Sequence, residues 1–407
     1  MRKNKILLQI NSTVNWGSTG KIAEYIGNAA IEAGWDSYIA YGRFYNNSKS
    51  KLIKVGSKLN VLWHGLESRL FDNHGLASRM ATKRLIKQIK QIRPDVIHLH
   101  NIHGYYLNYR ILFEYLNKTN VPVVWTLHDC WAFTGHCAHF VWADCMRWRD
   151  DSCGNCPLKN QYPKSYVDFS LRNFCLKKRL FTFSSNIYIV TVSEWLQNFV
   201  EQSFLNKFHH RVIYNGIDLQ LFKERVIKSS TIELTEHEKM ILGVSSVWTT
   251  SKGLDDFKHL RTSLPPDIKI VLVGLTPEQI KELPDGIIGI GKTQNVNELV
   301  SIYSLADAFV NPTYADTFPT VNLEALACGT PVITYKTGGS PEAVTSETGV
   351  VVEQGDLQGL YEAIKGVLQK GKTCYKQACR DRAEECFDKD SCFKKYIELY
   401  NEILNDK

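Results

Sequence analysis

The chain reads as an α/β protein of two domains, each built on a parallel sheet. Short β-branched runs alternate with amphipathic segments, which is the pattern of successive βαβ units. That rhythm breaks over 211–238 and then restarts. The length of 407 residues suits two domains, at roughly 100–200 residues per domain.

In the first half the strands are expected at 5–10, 36–41, 95–100, 121–127 and 187–192. Helices are expected near 20–33, 80–92, 109–117, 166–180 and 194–203. The second half repeats the alternation, with strands at 239–245, 268–274, 287–290, 307–311, 331–335 and 349–352. Its helices fall at 253–262, 277–283, 295–305, 320–328 and 356–369, and two long helices close the chain at about 373–388 and 390–405. Phe393, Tyr396, Ile397, Tyr400 and Leu404 share one face of the last helix, which must therefore dock. The expected domains are 1–205 with a cysteine-rich insertion at 130–160, then 206–385, then a C-terminal helix at 386–407 packing back on the first domain.

Hydrophobic content of 44% and charged content of 22% describe a globular chain and exclude a disordered one. No run of about 18 uncharged apolar residues exists, so no membrane-spanning helix is expected. The basic start resembles a signal peptide, but Asn11-Ser12-Thr13 interrupts the short apolar run 6–10, and a buried first strand fits better. A cytoplasmic location follows as the expectation. The net charge of +7 divides unevenly, +12 over 1–205 and −5 over 206–407, which points to different partners for the two halves.

Residues 311–332 are the most informative. A strand ends at Asn311, a loop carries Asp316, and a helix follows with Thr320 as the expected N-cap. Gly329 and Pro331 end that helix. A helix N-terminus at the carboxyl end of a parallel strand presents free N–H groups to a phosphate. Asp316 and Glu324 place a carboxylate on either side of it, and carboxylates accept hydrogen bonds from sugar hydroxyls.

This string resembles the acidic-x7-Glu signature of the retaining GT-B glycosyltransferases of group 1 and family 4. That family includes bacterial exopolysaccharide (colanic acid-like) and lipopolysaccharide transferases, and the resemblance spans essentially the whole chain. It implies a GT-B fold, with two Rossmann-like domains facing across a cleft. Glu324 would bind the donor ribose and Asp316 the donor sugar, while Phe318, Pro319, Thr320 and Val321 would hold the diphosphate. Asp316 stands where the family usually has Glu. Lys252, at a helix start, would meet the diphosphate as a point charge, although Val247 occupies the position of the family's accompanying Arg. Gly338-Gly339-Ser340-Pro341-Glu342 resembles the family's Gly-Gly-x-Pro-Glu turn.

On the acceptor side, Gly17, Ser18, Thr19 and Gly20 open a helix but lack the Walker spacing, because Asn15 and Ile22 occupy its other required positions. They resemble the family's first glycine-rich turn. His128, at the end of strand 121–127, takes by resemblance a role at the reacting centre; a buried histidine bonded to backbone is the plainer reading. His98, His100 and His103 read as lining of an acceptor pocket, with metal binding as the alternative. Cys137, Cys145, Cys153 and Cys156, spaced C-x7-C-x7-C-x2-C, suit either a structural zinc or a set of reduced thiols. The basic amphipathic segment 79–93 suits either an anionic inner-membrane surface or a solvated helix face.

The expected activity is therefore retaining, metal-independent transfer of a hexose from a nucleotide sugar, UDP before GDP, to a glycan or lipid-linked oligosaccharide. No cofactor beyond the donor substrate is required. A GT-B-like sugar-nucleotide epimerase and a basic nucleic-acid-binding protein are the alternatives.

Overall fold

The computed structural model describes residues 4–183, 186–225, 232 and 234–405. The chain divides into two compact units, 1–214 with 392–407, and 215–391.

The first unit holds a seven-stranded parallel sheet: β1 (Ile6–Asn11), β2 (Asp36–Tyr41), β3 (Lys51–Lys54), β4 (Val96–Leu99), β5 (Val123–Leu127), β6 (Ile187–Thr191) and β7 (His209–Val212). Their spatial order is β3-β2-β1-β4-β5-β6-β7. Around it lie α1 (Gly17–Glu32), α2 (Lys58–Phe71), α3 (Arg79–Ile92), α4 (Tyr109–Leu116), α5 (Ser170–Phe181) and α6 (Glu194–Glu201). All six residues of β1 are buried, as expected of a strand covered on both faces.

The second unit repeats the plan with β8 (Lys239–Val244), β9 (Ile268–Val273), β10 (Ile287–Ile290), β11 (Ala308–Asn311), β12 (Val332–Tyr335) and β13 (Gly349–Val352), in the order β10-β9-β8-β11-β12-β13. Its helices are α7 (Leu254–Ser263), α8 (Pro277–Lys281), α9 (Val296–Leu305), α10 (Thr320–Ala327), α11 (Leu357–Lys370) and α12 (Thr373–Phe387). The last helix, α13 (Lys389–Asn405), returns to the first unit from Cys392 onward. This is the architecture expected: two parallel α/β sheets with a helix crossing back.

Three elements fall outside the sequence expectation. Strands β3 and β7 are edge strands of four residues each, rich in Lys, His and Arg. Charged edges resist pairing with other chains, and the same charge hides them from a hydrophobic count. Helix α2 buries polar His64 and Ser68 and leaves its leucines exposed, so its apolar face does not point at a core.

Helix α13 packs as its periodicity requires. Phe393, Tyr396, Ile397, Tyr400 and Ile403 join Leu7, Ile26, Trp35, Val96 and Val124 in one core. Polar groups within it are paired. His98 shares hydrogen bonds with Tyr400 Oη at 2.6 Å and Thr126 Oγ1 at 2.8 Å, and Thr126 in turn bonds Tyr396 Oη at 3.1 Å. His98 thus anchors the C-terminal helix and does not line an acceptor pocket, a correction to the sequence reading. Its position inside the β4 ladder points it into the layer where α13 lies.

Burial holds several imidazoles neutral. His98 lies well below the usual imidazole value because desolvation penalises its charged form, and His64 is pushed down to about 4 for the same reason. Between the unfolded value of 6.5 and the depressed folded values, only the unfolded chain takes up these protons, so stability falls as pH falls through that window. For His64 alone the loss at pH 5 is about 2 kcal/mol. We expect Tm measured from pH 7.5 to pH 5 to decline steadily below pH 6.5; a flat profile would show that the folded rings take up protons as readily as the unfolded ones.

Candidate active site

In a parallel sheet a crevice opens where strand order reverses, because the loops leaving the two adjacent strands diverge to opposite faces. In the second unit that point lies between β8 and β11, and the residues following these two strands carry Lys252 and Asp316. The two side chains meet there. Lys252 Nζ lies 2.7 Å from Asp316 Oδ2 and donates to Ala315 O at 2.9 Å. Both remain partly exposed, so the pair is open to exchange for a charged ligand.

Helix α10 begins at Thr320, with Pro319 in the N-cap position and no side-chain cap. Thr320 is therefore the first helical residue and not the cap expected from sequence. Proline cannot cap through a side chain, and its fixed φ leads directly into the helix. The N–H groups of the first turn are left without a side-chain partner, which suits an anion. Phe318 and Pro319 are buried just before that turn, and Thr320 and Val321 are half-buried within it. Glu324, one turn further on, accepts a hydrogen bond from Tyr303 Oη at 3.0 Å. Burial, and then the Glu324 charge, push the Tyr303 phenol well up, so it remains a donor that orients the carboxylate.

The loop bearing Asp316 is gripped from both sides by backbone. A Cβ on Gly338 would stand 1.7 Å from Asp316 O, and one on Gly253 2.3 Å from Pro312 O; both glycines have positive φ. Below the loop, Asn311 Nδ2 donates to Asn322 Oδ1 at 2.8 Å and Asn322 Nδ2 to Ser340 Oγ at 2.9 Å, while Ser340 Oγ and Thr334 Oγ1 lie 2.7 Å apart. This buried network ties β11, α10, β12 and the Gly-Gly turn together. Asp256 supports the same loop, accepting from Tyr314 Oη at 2.9 Å and from Tyr335 Oη at 3.0 Å. Asp256, Tyr303 and Thr317 escaped the sequence reading. Among the described residues Thr317 Oγ1, beside Asp316, is buried without a hydrogen-bond partner. Only Thr317 had a sequence signal, since it interrupts the acidic motif with a hydroxyl.

The first unit presents a histidine set at its own reversal point, between β1 and β4. Gln9 Nε2 donates to Ala23 O, so its Oε1 accepts from His100 Nε2 at 3.0 Å. His100 Nδ1 must then accept from His128 Nε2 at 3.1 Å. Burial lowers the His128 pKa to about 4, so its Nδ1 carries a lone pair at neutral pH. His103 Nε2 lies 3.0 Å from Asp129 Oδ2, and its Nδ1 3.1 Å from Tyr162 Oη. Asp129 is held down at about 2: burial opposes its charge, but His103 and the Trp131 N–H outweigh that cost. Gly17, Ser18, Thr19 and Gly20 form the first turn of α1, and Asn11 Nδ2 donates to Thr19 O at 3.1 Å. His100, His103 and His128 are thus brought together around one crevice, with Asp129 added by the fold.

The cysteine insertion carries free thiols. Cys137 and Cys156 are hydrogen-bonded thiols, which lowers Cys156 to about 7, whereas burial raises Cys153 to about 11. All eleven cysteines are free. Among the described residues no group of three or more His, Cys, Asp or Glu is placed to hold a metal ion, so Cys145 and Cys153 do not complete a tetrahedral set with this pair.

Two glycine substitutions separate the loop constraint from general helix effects. Gly338→Ala forces a Cβ into the Asp316 carbonyl at positive φ and should lower stability by about 1–3 kcal/mol. Gly366→Ala, in the middle of α11 with open space around its Cβ, should raise it by about 0.5–1 kcal/mol. Chemical denaturation of both variants reads the difference, and equal effects would refute the backbone clamp.

Comparison with known proteins agrees with this geometry. Residues 20–221 match the profile described as Glycosyltransferase Family 4, and residues 238–370 match that described as Glycosyl transferases group 1. The colanic acid biosynthesis glycosyl transferase WcaC of Escherichia coli (strain K12), as that protein is named, is 23% identical over 98% of this chain and 100% of its own length. The sucrose-phosphate synthase of Thermosynechococcus elongatus superposes with a TM-score of 0.75 at 17% identity, covering 99% of this chain and 100% of that one. Anabaena HepE in complex with UDP gives 0.65 at 17% identity, covering 98% and 100%. With most of its length matched by the two profiles and its fold shared with these structures, the chain belongs to the group 1 and family 4 glycosyltransferases and has the GT-B fold.

Proposed function

We propose that this enzyme transfers a sugar, with retention of anomeric configuration, from a nucleotide diphosphate sugar bound by the second unit. The observation that carries the reading is the Lys252–Asp316 pair beside the uncapped N-terminus of α10, with Glu324 one turn along. A diphosphate carries negative charge that helix N–H groups and an ammonium stabilise, most of all as it departs. In this reading Lys252 leaves Asp316 for the diphosphate. Asp316 then accepts from donor-sugar hydroxyls, Glu324 from the ribose, and the Thr317 hydroxyl donates to a phosphate oxygen. Cationic groups and N–H dipoles meet the leaving-group charge, so the reaction proceeds without a divalent metal. UDP is the base favoured, in keeping with the UDP seen in the HepE structure.

The acceptor belongs to the first unit. His128, neutral and with its Nδ1 lone pair available, accepts a hydrogen bond from a sugar hydroxyl, and His100 fixes its ring. His103 and the Gly17–Gly20 turn complete the acceptor side. A glycan or lipid-linked oligosaccharide of surface polysaccharide synthesis is the acceptor class, supported by the full-length similarity to a colanic acid transferase.

Thermal unfolding with UDP, GDP, ADP and their sugar conjugates tests the donor half. A nucleotide at 100 times its dissociation constant should stabilise the enzyme by about 2.7 kcal/mol. Glu324→Ala should abolish the shift, and turnover should survive EDTA. No shift with any nucleotide would overturn this reading.

A further inference from the structure

Helix α2 is inverted. A helix on a globular protein normally turns its apolar stripe to the core. Here His64 and Ser68 are the fully buried residues, and His64 shares a hydrogen bond with Ser78 Oγ at 2.8 Å and accepts from the Gly75 N–H at 3.0 Å. The opposite face carries Leu59, Leu62, Trp63, Leu66 and Leu70, spaced i, i+3, i+4, i+7 and i+11, which aligns them along one side. Leu59, Leu62 and Trp63 are 76%, 69% and 62% exposed. Single exposed leucines are ordinary on a protein surface; a stripe three turns long marks a surface built to be covered.

The surroundings identify what covers it. Exposed Phe71, Tyr166 and Phe169 extend the apolar surface past the end of the helix, and Tyr166 N is tied to Arg69 O at 2.8 Å. Helix α3, next in the chain, exposes Arg79, Lys83, Arg84 and Lys87, none of which makes an ion pair among the described residues. Arg84 and Lys87 line an open groove with Ser57 and Asn60 at the start of α2. Between 58 and 93 the only acids are Glu67 and Asp72, and Asp72 is buried against His136. A second copy of this chain would bring two cationic surfaces together, which opposes association. An anionic lipid surface supplies both the hydrocarbon for the stripe and phosphates for the groove.

We propose that the outer face of α2, flanked by the basic face of α3, docks on an anionic lipid bilayer. The C-terminal end of α2 leads within three residues to His74, whose ring packs against His103 and Tyr162. Docking therefore presents the acceptor-side histidines to a substrate carried in that bilayer; this consequence rests on the acceptor reading above, whereas the docking itself does not.

Flotation of the full chain with vesicles tests it, using phosphatidylcholine alone and phosphatidylcholine mixed with phosphatidylglycerol, without donor or acceptor. The protein should float with the mixed vesicles only. The triple variant Leu62→Ser, Trp63→Ser, Leu66→Ser should bind about tenfold more weakly, as expected for lost apolar insertion. Arg84→Ser with Lys87→Ser should also weaken binding and flatten its salt dependence, and it leaves the stripe intact should the triple variant fold poorly. No flotation of the wild type, or flotation unaffected by the triple variant, overturns the proposal. So does a wild-type dimer that the triple variant converts to monomer without vesicle binding, which would make α2 a subunit interface. Nucleotide-induced stabilisation, measured without vesicles, stands apart: its absence alongside intact flotation would remove the donor reading and leave the docking surface.

Discussion

Reversal of strand order in a parallel sheet is the constraint from which the functional geometry follows. Between β8 and β11, and again between β1 and β4, the outgoing segments part to opposite faces and leave a crevice at the carboxyl ends of the strands. Every side chain with a chemical role in the reading above stands in or beside one of these two crevices. The second unit fills its crevice with a cation, a carboxylate and a helix N-terminus. The first fills its own with the neutral imidazoles of His100 and His128, the His103 ring and one ionised aspartate.

Rigidity around the crevice of the second unit comes from backbone. Gly253 and Gly338 admit close approach of two neighbouring loops to residues 312–316, and the Asn311–Asn322–Ser340–Thr334 network holds the strand ends and the helix start in one register. A fully satisfied buried polar network specifies one arrangement more strongly than apolar packing of the same volume, because each alternative strands a donor or acceptor. Lys252 and Asp316 sit above this frame, where solvent reaches them and a ligand can replace either partner.

The first unit relies more on burial. Lys177 is enclosed, donates to Trp131 O at 2.7 Å and to Thr134 O at 3.0 Å, and lies over the Trp131 ring at 3.5 Å. Burial lowers its pKa to about 7. It fixes the start of the cysteine-rich insertion against α5, and with it the segment following Asp129. Tyr162, just beyond the insertion, then reaches His103. A stretch with little regular secondary structure thereby contributes to the crevice of the first unit through two polar anchors. The thiols have another role here: the Cys137–Cys156 pair packs inside the insertion.

Periodicity determined the alternation of strands and helices, the restart in the second half, and the docking of α13, because each rests on local hydrophobic spacing. The acidic-x7-Glu string pointed to the crevice of the second unit, since a strand end, a helix start and two carboxylates lie within one short segment. Tertiary structure decided what spacing cannot encode. Lys252 and Asp316 are 64 residues apart and meet only because β8 and β11 are neighbours. His98 and His100 share one strand end, yet one anchors α13 and the other orients His128, a division set by what packs on each ring. The outward stripe of α2 is of the same kind. Its leucines have helical spacing, but which side of a helix meets the protein depends on the polar partners waiting for His64 in the folded chain.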